Sequence, residues 1–286
     1  MKKEKYDVTL SIVTYNHART INDILRKAEA ALKKDRLRHR IIVVDSASTD
    51  GTADLIRREF PRILVIVSAN RGYGAGQNIA MRLSMKDSRY HAAINPDITF
   101  PPGTIRGLFE YLEKNTDVSL VTPKIVYPDG RLQYLCKLLP TPLDFFVRRL
   151  LPLPILLSWI NERFEMRASG YRAIMPVPFI SGCFMMMRTS ALQRSGLFDE
   201  NYFLFCEDID LTRRLHQFGT TMFHPSLRAT HDHMRKSFLD LKMFFIYLRS
   251  TLYYFNKWGW FFDKERKRTN REAMDFLKKM KNGTAR

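Results

Sequence analysis

Residues 40–52 read RIIVVDSASTDGT. Arg40–Asp45 is a short apolar, β-branched run, as expected of a buried strand, and it ends on a carboxylate. Ser, Thr, Asp and Gly then break it. Asp50–Phe60 follows with helical composition, and Ser48 or Asp50 is placed to cap it. The same grammar extends to both sides. Upstream, Asp7–Tyr15 (DVTLSIVTY) reads as a strand, and Asn16–Arg36 as a helix with Ile21, Ile24, Leu25, Ala28 and Leu32 at helical spacing. Downstream, Ile63–Val67 reads as a strand, Gly76–Lys86 as a helix and Tyr90–Asn95 as a fourth strand. Strand–helix alternation at this spacing predicts an α/β fold with a mostly parallel sheet covered on both faces. Ligands on such sheets bind beyond the carboxyl ends of the strands, so the polar residues after each strand are the ones to read.

The chain has 286 residues, enough to bury a sizeable core, and is 45% hydrophobic and 27% charged, which excludes a disordered, collagenous or multi-pass membrane chain. Its net charge of +18 calls for a polyanionic partner: nucleic acid, a phosphorylated substrate or an anionic membrane surface. The three cysteines, Cys136, Cys183 and Cys206, form no CxxC pair and are odd in number, which fits a reducing cytosolic compartment. The N-terminus starts basic, but its short apolar run reads as a strand, so no signal peptide is expected. Leu150–Ile160, with two prolines, is too short to span a bilayer.

Several strand ends carry candidate chemistry. The first ends in Thr14-Tyr15-Asn16 and the second in Asp45-Ser46, with Asp50 close behind. A carboxylate such as Asp45 can accept hydrogen bonds from a nucleobase or ribose. Asn70–Asn78 (NRGYGAGQN) holds three glycines that would let backbone approach a phosphate or sugar, although a plain turn is the simpler reading. It is neither a Walker loop nor a dinucleotide fingerprint. In Asn95-Pro96-Asp97 the proline must turn the chain and present Asp97, as a ligand for a hard cation or as an Asx turn. Among the acids of Gly196–Leu211, Glu207-Asp208 reads as a general base near a partly apolar site or as a solvated helix N-terminus. Thr230-His231-Asp232-His233 offers two imidazoles on one side of an extended segment, weak evidence for metal on its own.

In this order, SIVTYN (11–16), VVDSASTDGT (43–52), NRGYGAGQN (70–78), NPD (95–97), GLFDENYFLFCEDIDL (196–211) and the His231 region resemble a family-two glycosyltransferase of the GT-A fold, in its bacterial rhamnosyltransferase-like branch. The resemblance spans about residues 7–255. It implies a Rossmann-like central sheet flanked by helices, and inverting transfer of a sugar from a nucleotide diphosphate sugar to an acceptor hydroxyl. It places Thr14, Tyr15, Asn16, Asp45, Ser46, Asp50, Gly74, Asn78, Asn95 and Asp97 at the nucleotide sugar. Asn95-Pro96-Asp97 stands where the family has DxD, with Asn for the first acid. Asp97 and His231 would hold Mg²⁺ or Mn²⁺, with His233 competing for the histidine position. Asp208, next to Glu207, would be the base. The branch favours dTDP-rhamnose over UDP-hexoses, and the aromatic and basic C-terminal segment leads to the expectation of a polyprenyl-diphosphate-linked glycan acceptor at the membrane.

Residues 1–236 are expected to form the catalytic domain, with nucleotide binding in about 1–100 and acceptor binding in about 101–236. Residues 237–286 form a helical, aromatic and basic extension. In it Leu241, Phe244, Phe245, Leu248, Leu252 and Phe255 share one helical face, and the tail from Asp263 holds nine Lys or Arg against four Asp or Glu. Such a helix either packs on the catalytic domain or lies on an anionic membrane at the inner face of the cell membrane. Three other classes compete. A sugar-phosphate nucleotidyltransferase should carry an N-terminal glycine-rich loop, which residues 11–20 lack. A nucleic-acid binder should show a recognised module, and none is present, so no nucleic-acid partner is expected. An inactive scaffold need not keep both Asp97 and Asp208.

Overall fold

A computed structural model describes residues 4–150, 154–232 and 241–282. It opens with β1 (Tyr6–Thr14), α1 (Ile21–Asp35), β2 (His39–Asp45), α2 (Thr52–Glu59), β3 (Leu64–Val67), α3 (Tyr73–Asp87) and β4 (Ser88–Ile94). These strands pair in the parallel order β3-β2-β1-β4. On β1, Val8, Leu10 and Ile12 enter the larger core, and Val13 faces α3 in a smaller one. That is the period-two alternation of a strand covered on both faces.

The middle of the chain adds β5 (Ile98–Thr99), α4 (Thr104–Lys114), β6 (Val118–Val126), β7 (Cys136–Lys137), α5 (Pro142–Leu150), α6 (Pro154–Phe164), β8 (Met175–Pro176), β9 (Phe179–Ile180), β10 (Phe184–Arg188) and α7 (Thr189–Ser195). The apolar stretch Phe179–Met187 (FISGCFMMM) is two strands, broken at Ser181-Gly182-Cys183. β9 pairs with β7, whereas β10 runs antiparallel between β4 and β6. Then come α8 (Glu207–Leu215) and β11 (Thr220–His231), which lies parallel to β6 and antiparallel to β5 and β8. The result is a nine-stranded mixed sheet whose long strands β1, β2, β4, β6 and β11 all run the same way.

The last two helices, α9 (Leu241–Trp258) and α10 (Lys264–Lys281), share a hydrophobic core with α8 and β10. Tyr254 and Phe255 of α9 are fully buried, and Ala273 and Leu277 of α10 are nearly so. The face predicted for α9 is therefore divided: Phe255 packs inward beside Ser250, Thr251 and Tyr254, while Leu241, Phe245 and Leu252 stay exposed. Heptad spacing marks an apolar stripe but not which flank of it meets the domain. The basic tail is itself helical, and Asp263 caps it by accepting a hydrogen bond from the Arg266 amide. No helix among the described residues is long and apolar enough to cross a membrane.

Candidate active site

Because β1, β2 and β4 are parallel and in register, their carboxyl ends meet at one edge: Thr14 sits opposite Asp45, and Ile12 opposite Ile94. β10 enters the sheet at that same edge, where Phe184 pairs with Ile94. β6 and β11 end there too. Thr14, Asp45, Asn95, Asp97, His231 and the loop before β10 thus converge, although they are spread over more than two hundred residues of sequence.

On the nucleotide side, Asp45 is buried and accepts from Thr14 Oγ1 at 3.0 Å, from the Ser48 amide at 3.0 Å and from Ser48 Oγ at 2.6 Å. Ser46 is buried beside it, its amide donating to the Thr14 carbonyl. Asn16 takes a left-handed conformation (φ 59°) and its side-chain oxygen accepts the Thr49 amide at 2.8 Å. The helix expected from Asn16 consequently starts only at Ile21. Asp50 accepts from the Thr52 hydroxyl and from the Ala18 and Thr52 amides, which ties the β1 loop to the start of α2 and holds its carboxyl below the usual range. Tyr15 is half exposed at the rim. The two loops brace each other through these polar contacts.

Gly74 and Asn78, expected at the nucleotide sugar, also make close contacts within the fold. α3 begins at Tyr73, so Gly74 and Gly76 lie in its first turn. A Cβ on Gly74 would come within 2.8 Å of Phe198 Cβ, and one on Gly76 within 2.9 Å of Val13 Cγ1. These glycines admit neighbouring side chains. Both amide hydrogens of Asn78 are spent on the Phe198 carbonyl and Glu200, and its oxygen accepts the Phe198 amide. It clamps the loop before α8.

The Asn95-Pro96-Asp97 turn forms as expected: the Ile98 amide closes it onto the Asn95 carbonyl, with proline in the second position. The Asp97 side chain is 31% exposed and its Oδ1 lies 3.1 Å from His231 Nε2. Gln133 holds the other edge of that imidazole. Its Nε2 donates to the His231 carbonyl at 2.8 Å, which leaves its Oε1 to accept from His231 Nδ1 at 2.9 Å. The reverse amide orientation would set two oxygens face to face. The ring therefore carries a proton on Nδ1 and turns its Nε2 edge towards Asp97. Two adjacent ligands of an octahedral cation at about 2.1 Å would stand about 3.0 Å apart, so this pair fits a divalent ion. Among the described residues no third His, Cys, Asp or Glu joins them. His233 lies outside the described residues.

Five acids surround the start of α8, and three of them are neutralised. Glu200 pairs with Arg71 and Arg82, Asp199 with Lys257, and Asp210 with Lys257 and Arg214. Glu207 and Asp208 have no ion pair among the described residues. Burial raises the carboxyl of Asp208, and burial together with the Asp208 charge pushes Glu207 up to about 8. Phe205 and Cys206, immediately before them, both have positive φ (69° and 67°), a strained approach that the packing must hold in place. Asp208 Oδ2 accepts the Gly182 amide at 2.9 Å. The Gly182 carbonyl accepts from Tyr73 Oη at 2.8 Å, Gln77 donates to Tyr73 Oη, and Ser11 and His91 continue the chain into the sheet. His91 is neutral, because burial lowers it to about 3. A raised carboxyl on a fixed backbone donor is a group prepared to take a proton.

One stability consequence follows from the sign of the Glu207 shift. A carboxyl raised in the folded state stabilises the fold below pH 4.5 and loses that contribution as pH climbs to about 8. Glu207→Gln removes the ionisation. Denaturation at a series of pH values should show this variant more stable than the parent at pH 8, with the gap closing towards pH 4.5. A gap independent of pH would mean that Glu207 is already charged in the folded protein.

Residues 9–196 match the sequence family described as glycosyl transferase family 2. The chain belongs to this family. It is 28% identical over 211 residues to the N-acetylglucosaminyl-diphospho-decaprenol L-rhamnosyltransferase of Mycobacterium tuberculosis, covering 67% of this chain and 66% of the relative. It thus spans just under two thirds of that protein's length. It is 27% identical over 257 residues to rhamnosyltransferase WbbL of Escherichia coli, covering 86% of this chain and 92% of the relative. Among solved structures, the mannosyltransferase PcManGT of Pyrobaculum calidifontis, with GDP-Man and Mn²⁺, superimposes with a TM-score of 0.56 at 18% identity, covering 82% of this chain and 59% of that one. The fold of this family-2 protein is accordingly GT-A.

Three residues of the site escape sequence reading. Gln133 lies in irregular backbone between β6 and β7, where no periodicity marks it. Tyr73 sits among glycines that draw attention to phosphate chemistry. Gly182 interrupts the apolar stretch Phe179–Met187, but nothing in the spacing announces that its amide meets Asp208.

Proposed function

We propose that this family-2 protein is an inverting, metal-dependent glycosyltransferase that moves rhamnose from dTDP-rhamnose to a hydroxyl of a lipid-linked glycan in cell-surface polysaccharide synthesis. The observation that carries the reading is the placement of Asp97 and His231, 3.1 Å apart, on the same sheet edge as Asp208, a buried carboxyl fixed by the Gly182 amide. Thr14, Tyr15, Asn16, Asp45, Ser46 and Asp50 frame the nucleotide, and Asn95 and Asp97 its diphosphate. When bound by Asp97 and His231, Mg²⁺ or Mn²⁺ supplies positive charge to the leaving diphosphate. Asp208 takes the proton of the acceptor hydroxyl as that oxygen bonds to the anomeric carbon, while the bond to the nucleoside diphosphate breaks on the opposite face. The rhamnosyltransferase names of both relatives support the sugar, and the decaprenol-linked substrate in the mycobacterial name supports the acceptor. The exposed Leu241, Phe245 and Leu252 support work at the inner face of a membrane by a cytoplasmic, peripherally held protein.

Donor binding tests this reading. A panel of nucleotide sugars titrated with Mg²⁺, Mn²⁺ or EDTA should show metal-dependent binding of dTDP-rhamnose. Binding of a UDP-hexose in its place would change the sugar, and binding of none would refute the transferase. A second test concerns Gln133. Replacing a group that orients a ligating imidazole typically weakens metal binding about 10–100-fold. Gln133→Leu should raise the Mn²⁺ concentration needed for half-maximal donor binding by that factor, with melting temperature little changed. An unchanged metal requirement would reduce Gln133 to packing.

A further inference from the structure

Away from the sheet edge, α5, α6 and α10 enclose a cavity of about 490 Å³. Arg163 of α6 and Lys267 and Arg271 of α10 line it, together with Trp260, Phe261 and Leu143. No carboxylate is among its lining residues, and none of the three exposed cations makes an ion pair with a described residue. Surface arginines elsewhere do find acids, as Arg38 finds Asp7, Arg106 finds Glu110 and Arg131 finds Asp129. Arg266, by contrast, is buried and donates to the Pro140 and Trp260 carbonyls, which fixes the wall. Its apolar lining is open to solvent, with Phe261 69% and Leu143 60% exposed, and Phe262, next in sequence to Phe261, is 93% exposed. Unpaired cations around a cavity select a phosphate-type anion, and protruding aromatic and aliphatic side chains beside them select one that arrives on a hydrocarbon surface.

We infer that this cleft binds the phosphate headgroup of an anionic bilayer lipid, with Phe261 and Phe262 entering the acyl boundary. The inference rests on the reading that the acceptor is lipid-linked. It adds a lipid site distinct from Asp97 and Asp208, so that the protein is held on the membrane independently of its substrates. The expected size follows from charge: each basic group near an anionic surface contributes roughly a factor of five, so three contribute about 100-fold.

The test is flotation of the full chain with vesicles of phosphatidylglycerol and phosphatidylcholine, or of phosphatidylcholine alone. The parent should float with the anionic vesicles only. The triple variant Arg163→Gln, Lys267→Gln, Arg271→Gln should lose about 100-fold in partitioning, and Phe261→Ser with Phe262→Ser should also release the protein. A control triple of Lys33, Lys34 and Lys114 to Gln, exposed positions on α1 and α4, should float like the parent. Equal loss in the control would replace the site by diffuse net charge. Equal flotation on neutral vesicles, or a charge-triple defect confined to oligonucleotide binding, would overturn it. Donor titration without vesicles separates the two readings: if no donor binds yet the charge triple alone stops floating, the lipid site stands and the transferase reading falls.

Discussion

Asp208→Asn should abolish sugar transfer while leaving the donor bound. A positioned general base is worth about 10²–10⁴ in rate, and kcat should fall by that factor. The substitution keeps the size of the side chain and an oxygen that can accept the Gly182 amide, so the loop before β10 stays in place. It removes the negative charge and the capacity to hold a proton. Donor affinity should stay level because the nucleotide frame around Asp45 and the Asp97–His231 pair belongs to other elements. The same logic sets the acid limb of the parent's pH profile. Burial raises the Asp208 carboxyl, and only the deprotonated form accepts a proton, so kcat should fall off above the usual carboxylate range as pH drops. Single-turnover transfer with bound donor is the measurement. Near-parental turnover in a folded Asp208→Asn protein would remove Asp208 from the base role.

Glu207 beside it cannot substitute. It is buried, its Oε2 has no hydrogen-bond partner, and the Asp208 charge is among the causes that keep it protonated near neutrality. Two adjacent carboxyls in one dry site do not both ionise, and here the more enclosed one holds its proton.

What could be read from residues alone follows from how locally each feature is encoded. The strand ends at Asp45 and at Asn95-Pro96-Asp97 were legible because a β-branched run stopped by turn residues is a short-range signal. Neither Ser48 nor Asp50 is the cap of α2, which is Gly51, although Asp50 does accept the Thr52 amide. The glycines of Asn70–Asn78 are ambiguous in sequence, because a glycine that admits Phe198 looks like one that admits a phosphate. The contacts of Asn78 were not legible: its partners, Phe198 and Glu200, lie some hundred and twenty residues away. Gln133 and the Tyr73–Gly182–Asp208 chain are products of tertiary placement, invisible to periodicity. The division of α9 was hidden because spacing locates an apolar stripe without saying which side meets the domain.

Arg213→Leu should cost more stability than the other substitutions considered. Its guanidinium is 1% exposed and donates to Asp263 at 2.8 and 2.9 Å, to Glu265 at 3.2 Å and to Tyr254, while lying 4.1 Å from the Trp258 ring centre. Glu265 can turn to solvent, but Asp263 is buried and would keep a charge with Arg266 only at 3.9 Å. Breaking a buried pair from one side typically costs ~3–5 kcal/mol, most of it from the stranded partner. At this chain length the melting temperature should fall on the order of 10 °C. Adding Asp263→Leu should return part of the loss, less the cap that Asp263 provides to α10, worth ~1 kcal/mol. A single variant as stable as the parent would show that the charge is not stranded. The functional consequence is mechanical. Arg213 is on α8, the helix whose first turn carries Asp208, and its partners are on the C-terminal helices and the turn between them. Glu207 and Asp208 follow two strained residues, so the start of α8 depends on what braces the rest of it. Arg213→Leu should therefore lower kcat at temperatures where the fold is still intact, and the double variant should restore kcat together with stability. Full activity in the single variant below its transition would mean that the C-terminal helices support the fold and leave the base alone.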